Sequence, residues 1–498
     1  MGFKVGLPNI SRTSQILISL GVIAFIALVW RLIPHPIIVL VIALLPLGII
    51  FTLFNPFPLV LAFVIFSFFR IHEVFPQLYP LRIPQLLAIG TLASLGWNIF
   101  NGKIKGYWTR ELAIFGVFFG LVTIGIFLAT NRPEAIGQYT GMYIKIAIMV
   151  IALAWLNDRP ARFNMAAKAI VLAGIAVGAV ALSNKANGIG LVEGTRVTIG
   201  RDIGSMLGDP NDLSLVLLFP LSFSLSLLLT KHVGGFSKLL GLIGFLTVVS
   251  AIIATQSRGG LLGILSVMGV FGYRKVKSKL LLGTVGAIGL VVLLALAGVS
   301  NRQSGGAHEE GIDESAMGRI HAWGAAANMA KRNPLTGVGL NNFLSNYFDY
   351  SDFWDGNNHA VHSTWFGVLA ETGILGFLVF ITMIGAIVRI ALIAQNTLAR
   401  MNSPNHKEAY VMAQASVAGL ASFCVSGTFL TMGFTWPVYI LMGFAVSSKR
   451  YVDHLVATGA LLEVTHPEYL DPDYINTMGV PKDIDDTQLG TLYKLDKK

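Results

Sequence analysis

His362 and Ser363 are followed, after nine residues, by Gly373-Ile374-Leu375-Gly376. The pattern starts at the end of an apolar run and continues into it. A histidine there can stand in wet protein while a helix anchors it, and its near-neutral pKa suits a general base. The same residue can equally serve as an interfacial hydrogen-bonding group. The two glycines would let another helix approach closely. Glu371 lies nine positions beyond His362, about 13 Å deeper on a helix rising ~1.5 Å per residue. An acid at that depth is costly unless paired, so it is either functional or part of a buried pair.

Cations supply the other candidate chemistry. In Gln256-Ser257-Arg258-Gly259-Gly260 an arginine is ringed by small residues. Its planar fork can reach a phosphate with little steric hindrance, although an arginine at a membrane boundary can also be a snorkelling anchor. Arg201 precedes Asp209-Pro210-Asn211, which reads as a turn opening a helix. Arg201 would then hang over the mouth of the bundle, or be a solvated loop residue. Arg196 belongs to the same segment. Arg319 lies in Gly318–Trp323, on a helix that Ser315 can cap and that runs to about Arg332, where Asn333-Pro334 ends it. Ile320, Trp323, Ala327 and Ala330 would share one face of that helix, resting on the membrane or the bundle. Lys145 falls inside an apolar run and either snorkels outward or contributes to an anion site.

These residues are carried by a chain of 498 residues that is 54% hydrophobic and 12% charged, with mean hydropathy +0.68. A soluble domain carries about 25% charged residues, so a water-soluble globule is excluded. Intrinsic disorder is excluded too, since it requires low hydrophobicity and high charge. The composition defines an all-α polytopic transmembrane bundle. Net charge is +10, which in such a chain is a topology signal and no pointer to nucleic acid. The single cysteine, Cys424, excludes an intramolecular disulfide, and the sequence has no Cys/His cluster with zinc spacing.

About 12–14 spans of membrane-crossing length are expected, near 14–30, 37–54, 57–69, 84–100, 112–130, 138–156, 165–182, 213–230, 239–255, 260–273, 280–298, 364–388, 409–428 and 431–447. Lys4 and Arg12 precede the first, and no small-residue cleavage site follows it, so it reads as a retained span. Basic clusters fall on alternate loops: Lys103–Arg110, Arg159/Arg162, Lys231/Lys238, Arg274–Lys279, Arg389–Lys407 and Lys449/Arg450. The positive-inside rule then makes both termini cytoplasmic. Scattered against it on the outer side are Arg31, Arg70, Arg82 and Arg132. Two long outer loops, 183–212 and 299–363, also carry Arg196, Arg201, Arg302, Arg319, Lys331 and Arg332. An anionic ligand would explain these cations, while long loops also translocate regardless of charge. Residues 1–450 thus form the transmembrane domain, and 451–498 a polar cytoplasmic tail.

At these motifs the sequence resembles the O-antigen ligase and polymerase superfamily of bacterial membrane glycosyltransferases. His362-Ser363…Gly373…Gly376 matches that family's signature of His, then Asn, Ser or Gln, then nine residues and Gly-x-x-Gly. Ser257-Arg258-Gly259, Arg201…Asp209-Pro210-Asn211 and Pro334–Gly339 match further family patterns in the expected order. The resemblance covers about residues 195–390. The N-terminal half is similar, more loosely, to exosortase-associated O-glycosylation ligases. Ser363 stands where Asn is commoner, and about fourteen spans exceed the roughly twelve usual in the ligases.

The resemblance implies a metal-independent enzyme of the bacterial inner membrane, without a cofactor, working on the periplasmic face. Its donor would be a polyprenyl-pyrophosphate-linked glycan drawn from membrane lipid, and its acceptor a hydroxyl of a lipid-core sugar, a glycan or a protein. Arg201, Arg258 and Arg319 would neutralise the pyrophosphate, while Arg196, Lys145 and Glu371 are further candidates for substrate contacts. His362 would act as base or bind phosphate as imidazolium. A repeat-unit polymerase of the same fold remains the alternative. An anion transporter would use the same arginines, but it should show paired broken helices and an internal repeat, and the sequence shows neither.

Overall fold

Apolar runs of this length leave backbone N–H and C=O groups no partner in hydrocarbon except one another, which selects helices. The computed structural model describes residues 50–296, 314–354, 356–401 and 403–458, with isolated positions before residue 50. All thirteen principal elements among these residues are helical: α1 (Pro56–Phe68), α2 (Ile83–Phe100), α3 (Arg110–Leu128), α4 (Arg132–Leu156), α5 (Pro160–Asn187), α6 (Pro210–Leu229) and α7 (Gly235–Thr255). They continue with α8 (Arg258–Lys275), α9 (Lys279–Leu296), α10 (Glu314–Arg332), α11 (Thr364–Met401), α12 (Lys407–Ser426) and α13 (Trp436–Ala457). Eight helices among the described residues are long and apolar enough to cross a membrane, and the chain is a polytopic helical bundle.

Every predicted span from 57 onward has a helix at its position. The first two, near 14–30 and 37–54, fall wholly or mostly outside the described residues, as do Arg302 and the tail beyond 458. Three boundaries differ. The 431–447 span starts only at Trp436, because the glycine- and threonine-bearing stretch 427–435 forms an irregular corner and Pro437 opens the helix. α13 continues to Ala457, burying Val452 and Leu455, so residues 451–457 belong to the bundle. α11 is 38 residues long and is broken at Gly373.

α6 is the central post, with 83% of its apolar window buried, against 22% for α2 at the periphery. A helix apolar all round belongs inside. α6 packs on α5, α7, α8 and α12, and small residues set the spacing. A Cβ on Gly174 of α5 would overlap the Pro220 ring, and one on Gly241 of α7 would meet the Ser224 carbonyl oxygen at 2.7 Å.

Cross-loop hydrogen bonds gather the loops around 70–82, 130–131, 192–211, 256–258, 333–363 and 427–435 at one end. Ser205 donates to Glu73 (2.6 Å), Thr130 N–H to the Val338 carbonyl (3.0 Å) and Thr364 N–H to the Gly427 carbonyl (2.7 Å). Basic residues from the alternate loops come to the opposite end. Arg450 lies over the Tyr107 ring (3.6 Å), Arg162 pairs with Asp158 (2.9 Å) and Arg274 donates to Asn396. The alternation of charge along the chain is therefore an alternation between the two ends of the bundle.

Candidate active site

Arg258 is mounted where two helices turn. α7 stops at Thr255, Gln256 takes a left-handed backbone (φ 54°), and Ser257 caps α8 by accepting the Gly260 N–H (3.2 Å). Arg258 is the first residue of α8, and its side chain is exposed. The sequence reads the two glycines behind it as steric room for a phosphate, and the structure uses them for packing. A Cβ on Gly260 would lie 2.7 Å from Cβ of Ser214, and one on Gly259 would touch Phe429. Ser426 donates to the Gly259 carbonyl (3.1 Å), fixing the base of Arg258 to the 426–430 corner.

The same corner holds the histidine. Thr364 donates its backbone N–H to Gly427, its hydroxyl donates to the Leu430 carbonyl (2.7 Å), and it accepts the Met432 N–H (3.0 Å). His362, two residues earlier, adopts φ 43°, a left-handed conformation that costs a non-glycine residue about 1 kcal/mol or more. Buried Val361 and Ser363 flank it, with Val361 accepting from Trp323 Nε1 (3.0 Å). The His362 side chain is exposed at the rim. Protein around the ring still displaces water, and this loss of hydration is the main cause that holds its pKa below the usual 6.5. The Arg319 guanidinium acts in the same direction, Asp209 opposes it, and His359 lowers it further. These four groups come from the α6 cap, α10 and the segment before α11, and they share one electrostatic neighbourhood.

Arg319 is placed by the packing of α10. That helix rests on loop 338–361 through Ala322, Ala325, Ala326 and Met329, and Trp323 stacks on Phe366 (5.1 Å, 10°). The predicted face of Ile320, Trp323, Ala327 and Ala330 is therefore met in part: Trp323 stacks and Ala330 is buried, while Ile320 lies off the packed side. Ile320 is 52% exposed, because the alanine edge allows the closer approach.

The long loop before α6 presents Arg201 and hides Arg196. Asp209 caps α6 by accepting the N–H groups of Asn211 (2.7 Å) and Asp212 (3.3 Å). Arg201 is exposed, and its guanidinium lies 3.4 Å from the Gly208 carbonyl. Arg196 is 4% exposed. It donates to the Thr255 carbonyl (3.1 Å) and Asn211 Oδ1 (3.0 Å), and lies 3.7 Å from Glu193. It is a strut that joins the end of α7 to the start of α6, beneath Arg258.

Glu371 is buried and tied to the loop before α11. Its carboxylate accepts the Asn341 N–H (2.8 Å), and its carbonyl accepts the Gly339 N–H (3.2 Å). Two residues on, α11 breaks at Gly373 (φ 68°, ψ −173°). Loop Asn333–Asn341 fills the gap: the Pro334 carbonyl accepts from Ile374 (2.8 Å) and Leu375 (3.3 Å), and the Val338 N–H donates to the Ala370 carbonyl (2.9 Å). A Cβ on Gly373 would lie 2.6 Å from the Pro334 oxygen. Gly373 thus admits a loop and not a second helix, and Gly376 makes room for Thr372 of its own helix, a correction to the close-helix expectation. Gly373→Ala should destabilise the protein by about 2–4 kcal/mol, combining left-handed strain with backbone overlap. Thermal unfolding in detergent measures this, and a midpoint equal to wild type would refute the loop-in-helix account.

Lys145 is exposed on α4 and lines a different recess with Arg70, Glu73 and Arg82, which none of Arg201, Arg258, Arg319 or His362 lines. The structure therefore joins His362 to Arg319, seats Arg258 on the same corner, and separates Lys145 from them. Sequence reading marks Asp209 only as a turn former and passes over His359. Asp209 becomes a neighbour of His362 only through tertiary packing, whereas His359 lies three residues before it, and that spacing is the signal that could have found it.

The described residues thus form a polytopic helical bundle that carries His362 and the exposed Arg201 and Arg258 in the loops gathered at one end. The sequence model of the family described as O-antigen ligase matches residues 243–381, the stretch from α7 through the first half of α11. The match supports membership of the O-antigen ligase superfamily, with ligase- or polymerase-type function in general. A comparison with curated proteins finds no match.

Proposed function

We propose that the protein transfers a glycan from polyprenyl pyrophosphate to an acceptor hydroxyl, at the periplasmic end of a bundle in the bacterial inner membrane with both termini cytoplasmic. The observation that supports this reading best is the convergence of His362, Arg319 and Asp209 at the cap of α6, beside the corner that seats Arg258. A neutral imidazole accepts the proton of the acceptor hydroxyl as its oxygen attacks the anomeric carbon. The carbon–oxygen bond to the pyrophosphate breaks with inversion, and the leaving diphosphate keeps the electron pair. Arg258, Arg201 and Arg319 balance its charge. Arg196 and Glu371 act indirectly, by fixing the elements that carry these groups.

Purified protein in nanodiscs, given polyprenyl-pyrophosphate glycan and candidate acceptors in EDTA, should transfer the glycan with release of polyprenyl pyrophosphate. Transfer to a lipid-core sugar or protein identifies a ligase, and growth of the lipid-linked glycan a polymerase. Saturable uptake of an anion by proteoliposomes, without any transfer, would overturn the enzyme reading in favour of transport.

A further inference from the structure

A second recess at the same end of the bundle takes no part in the site above. It has a volume of about 1170 Å³ and lies between α1, the Arg70–Arg82 segment, α2, α4 and the start of α13. That exceeds the roughly 300–1,000 Å³ of ordinary small-molecule pockets. Its polar wall is cationic: Arg70, Arg82 and Lys145 face a single carboxylate, Glu73. Glu73 is already engaged, pairing with Arg70 (3.0 Å) and accepting from Ser205 (2.6 Å). Among the described residues, neither Arg82 nor Lys145 has an acidic partner within salt-bridge distance. Three cations against one anion leave 3 − 1 = +2 with His72 neutral.

The backbone puts two of these cations in place at a cost. Arg70 and Arg82 take left-handed conformations (φ 53° and 47°), each immediately before a helix. Glycine would fill either position with less strain, so arginine there reflects what the side chain does. Ser67, His72, Gln85 and Thr435 add neutral polar groups, and the larger part of the wall is apolar, with Phe63, Phe68, Ile89, Met142 and Trp436. Ile89 both lines the recess and is 67% exposed on α2, the candidate span with the smallest buried share. Among the described residues the recess thus opens beside an exposed, apolar face of α2. A ligand suited to it has an anionic head and an apolar chain.

We propose that this recess binds the phosphate head of a membrane lipid, with Arg70, Arg82 and Lys145 on the phosphate oxygens and the chain leaving past Ile89. The inference does not rest on glycan transfer. Two lipid sources share the chemistry, an anionic glycerophospholipid and a polyprenyl phosphate, and the experiment separates them.

Full-length protein in phosphatidylcholine nanodiscs is titrated in parallel with phosphatidylglycerol and with polyprenyl phosphate, and bound lipid is counted by native mass spectrometry. At least one of the two should bind wild type in preference to phosphatidylcholine. Removing two charge-assisted hydrogen bonds to the phosphate with Arg82→Gln/Lys145→Gln should weaken that binding by about tenfold or more. Lys145→Arg should retain it, and so should Lys279→Gln, which removes an exposed cation that does not line this recess. The lipid whose binding the double variant abolishes is the source. Both substituted side chains are exposed, so the fold should survive; Lys145→Glu alone, scored by the same ratio, replaces the double variant if that aggregates. The proposal is overturned if neither lipid exceeds phosphatidylcholine, if the neutralised variant binds as wild type, or if Lys279→Gln loses binding equally. Failure of the transfer assay would leave all of these readings untouched.

Discussion

Replacing His362 with alanine lowers the rate of glycan transfer by about 10²–10⁴-fold, the usual contribution of a positioned general base, while donor binding persists. The imidazole contributes a proton acceptor, whereas the charge that would hold pyrophosphate comes from arginine. The fold should tolerate the change, since the His362 side chain is at the rim and its neighbours Val361 and Ser363 carry the packing. Alanine at φ 43° keeps the backbone demand unchanged. The pH profile supplies a second reading. Burial and Arg319 favour the neutral ring, so base function is present above a pKa that lies under 6.5 and is lost as pH falls through it. Removing the cation with Arg319→Gln should therefore move the acid limb of kcat/KM to higher pH. Single-turnover rates across pH 4.5–8 check both. Wild-type activity in His362→Ala would end the base assignment. An acid limb unmoved by Arg319→Gln would end the electrostatic link.

Arg258→Ala should cost about 10²–10³-fold in kcat/KM, the scale for removing one donor from a developing anion. Ser257 still caps α8 and Gly260 still packs on Ser214, so the loss is not one of scaffold. Arg258→Lys should recover only part of it, because an ammonium keeps the charge but lacks the planar fork. Steady-state kinetics with a fixed acceptor separate the cases: a purely ground-state contact raises KM alone, whereas leaving-group stabilisation lowers kcat as well. Full activity of the lysine variant would reduce Arg258 to a point charge, and full activity of the alanine variant would remove it from the site.

The helices are legible because hydrocarbon imposes a length and a composition on each span. His362, Arg201, Arg258 and Arg319 are legible for the complementary reason, since charged or titratable groups at a membrane boundary need a cause. What their neighbours do is harder to read. Arg196 looks in sequence like another loop cation, and only packing reveals a buried strut between α6 and α7. Gly373-x-x-Gly376 has the spacing of helix contact, but a helix break admits the same residues. Which operates depends on Pro334–Gly339, far back in the chain. The buried face of α10 partly escapes sequence reading because an alanine edge has little hydropathy signal, yet it permits the tightest approach. Asp209 carries no signal of its own, since its effect on His362 is a product of the assembled end.

The loop inserted at Gly373 also fixes an order of biogenesis. Loop Asn333–Asn341 leaves the ribosome before α11 exists, so its N–H groups at Val338, Gly339 and Asn341 must wait for Ala370 and Glu371. Conversely, α11 cannot rest in hydrocarbon with its backbone open at Gly373, because unsatisfied peptide groups there cost several kcal/mol. Each is the other's missing half. Settling of this helix into the bilayer and closure of the end that carries His362 are consequently a single event, and a chain stopped short of α11 has neither.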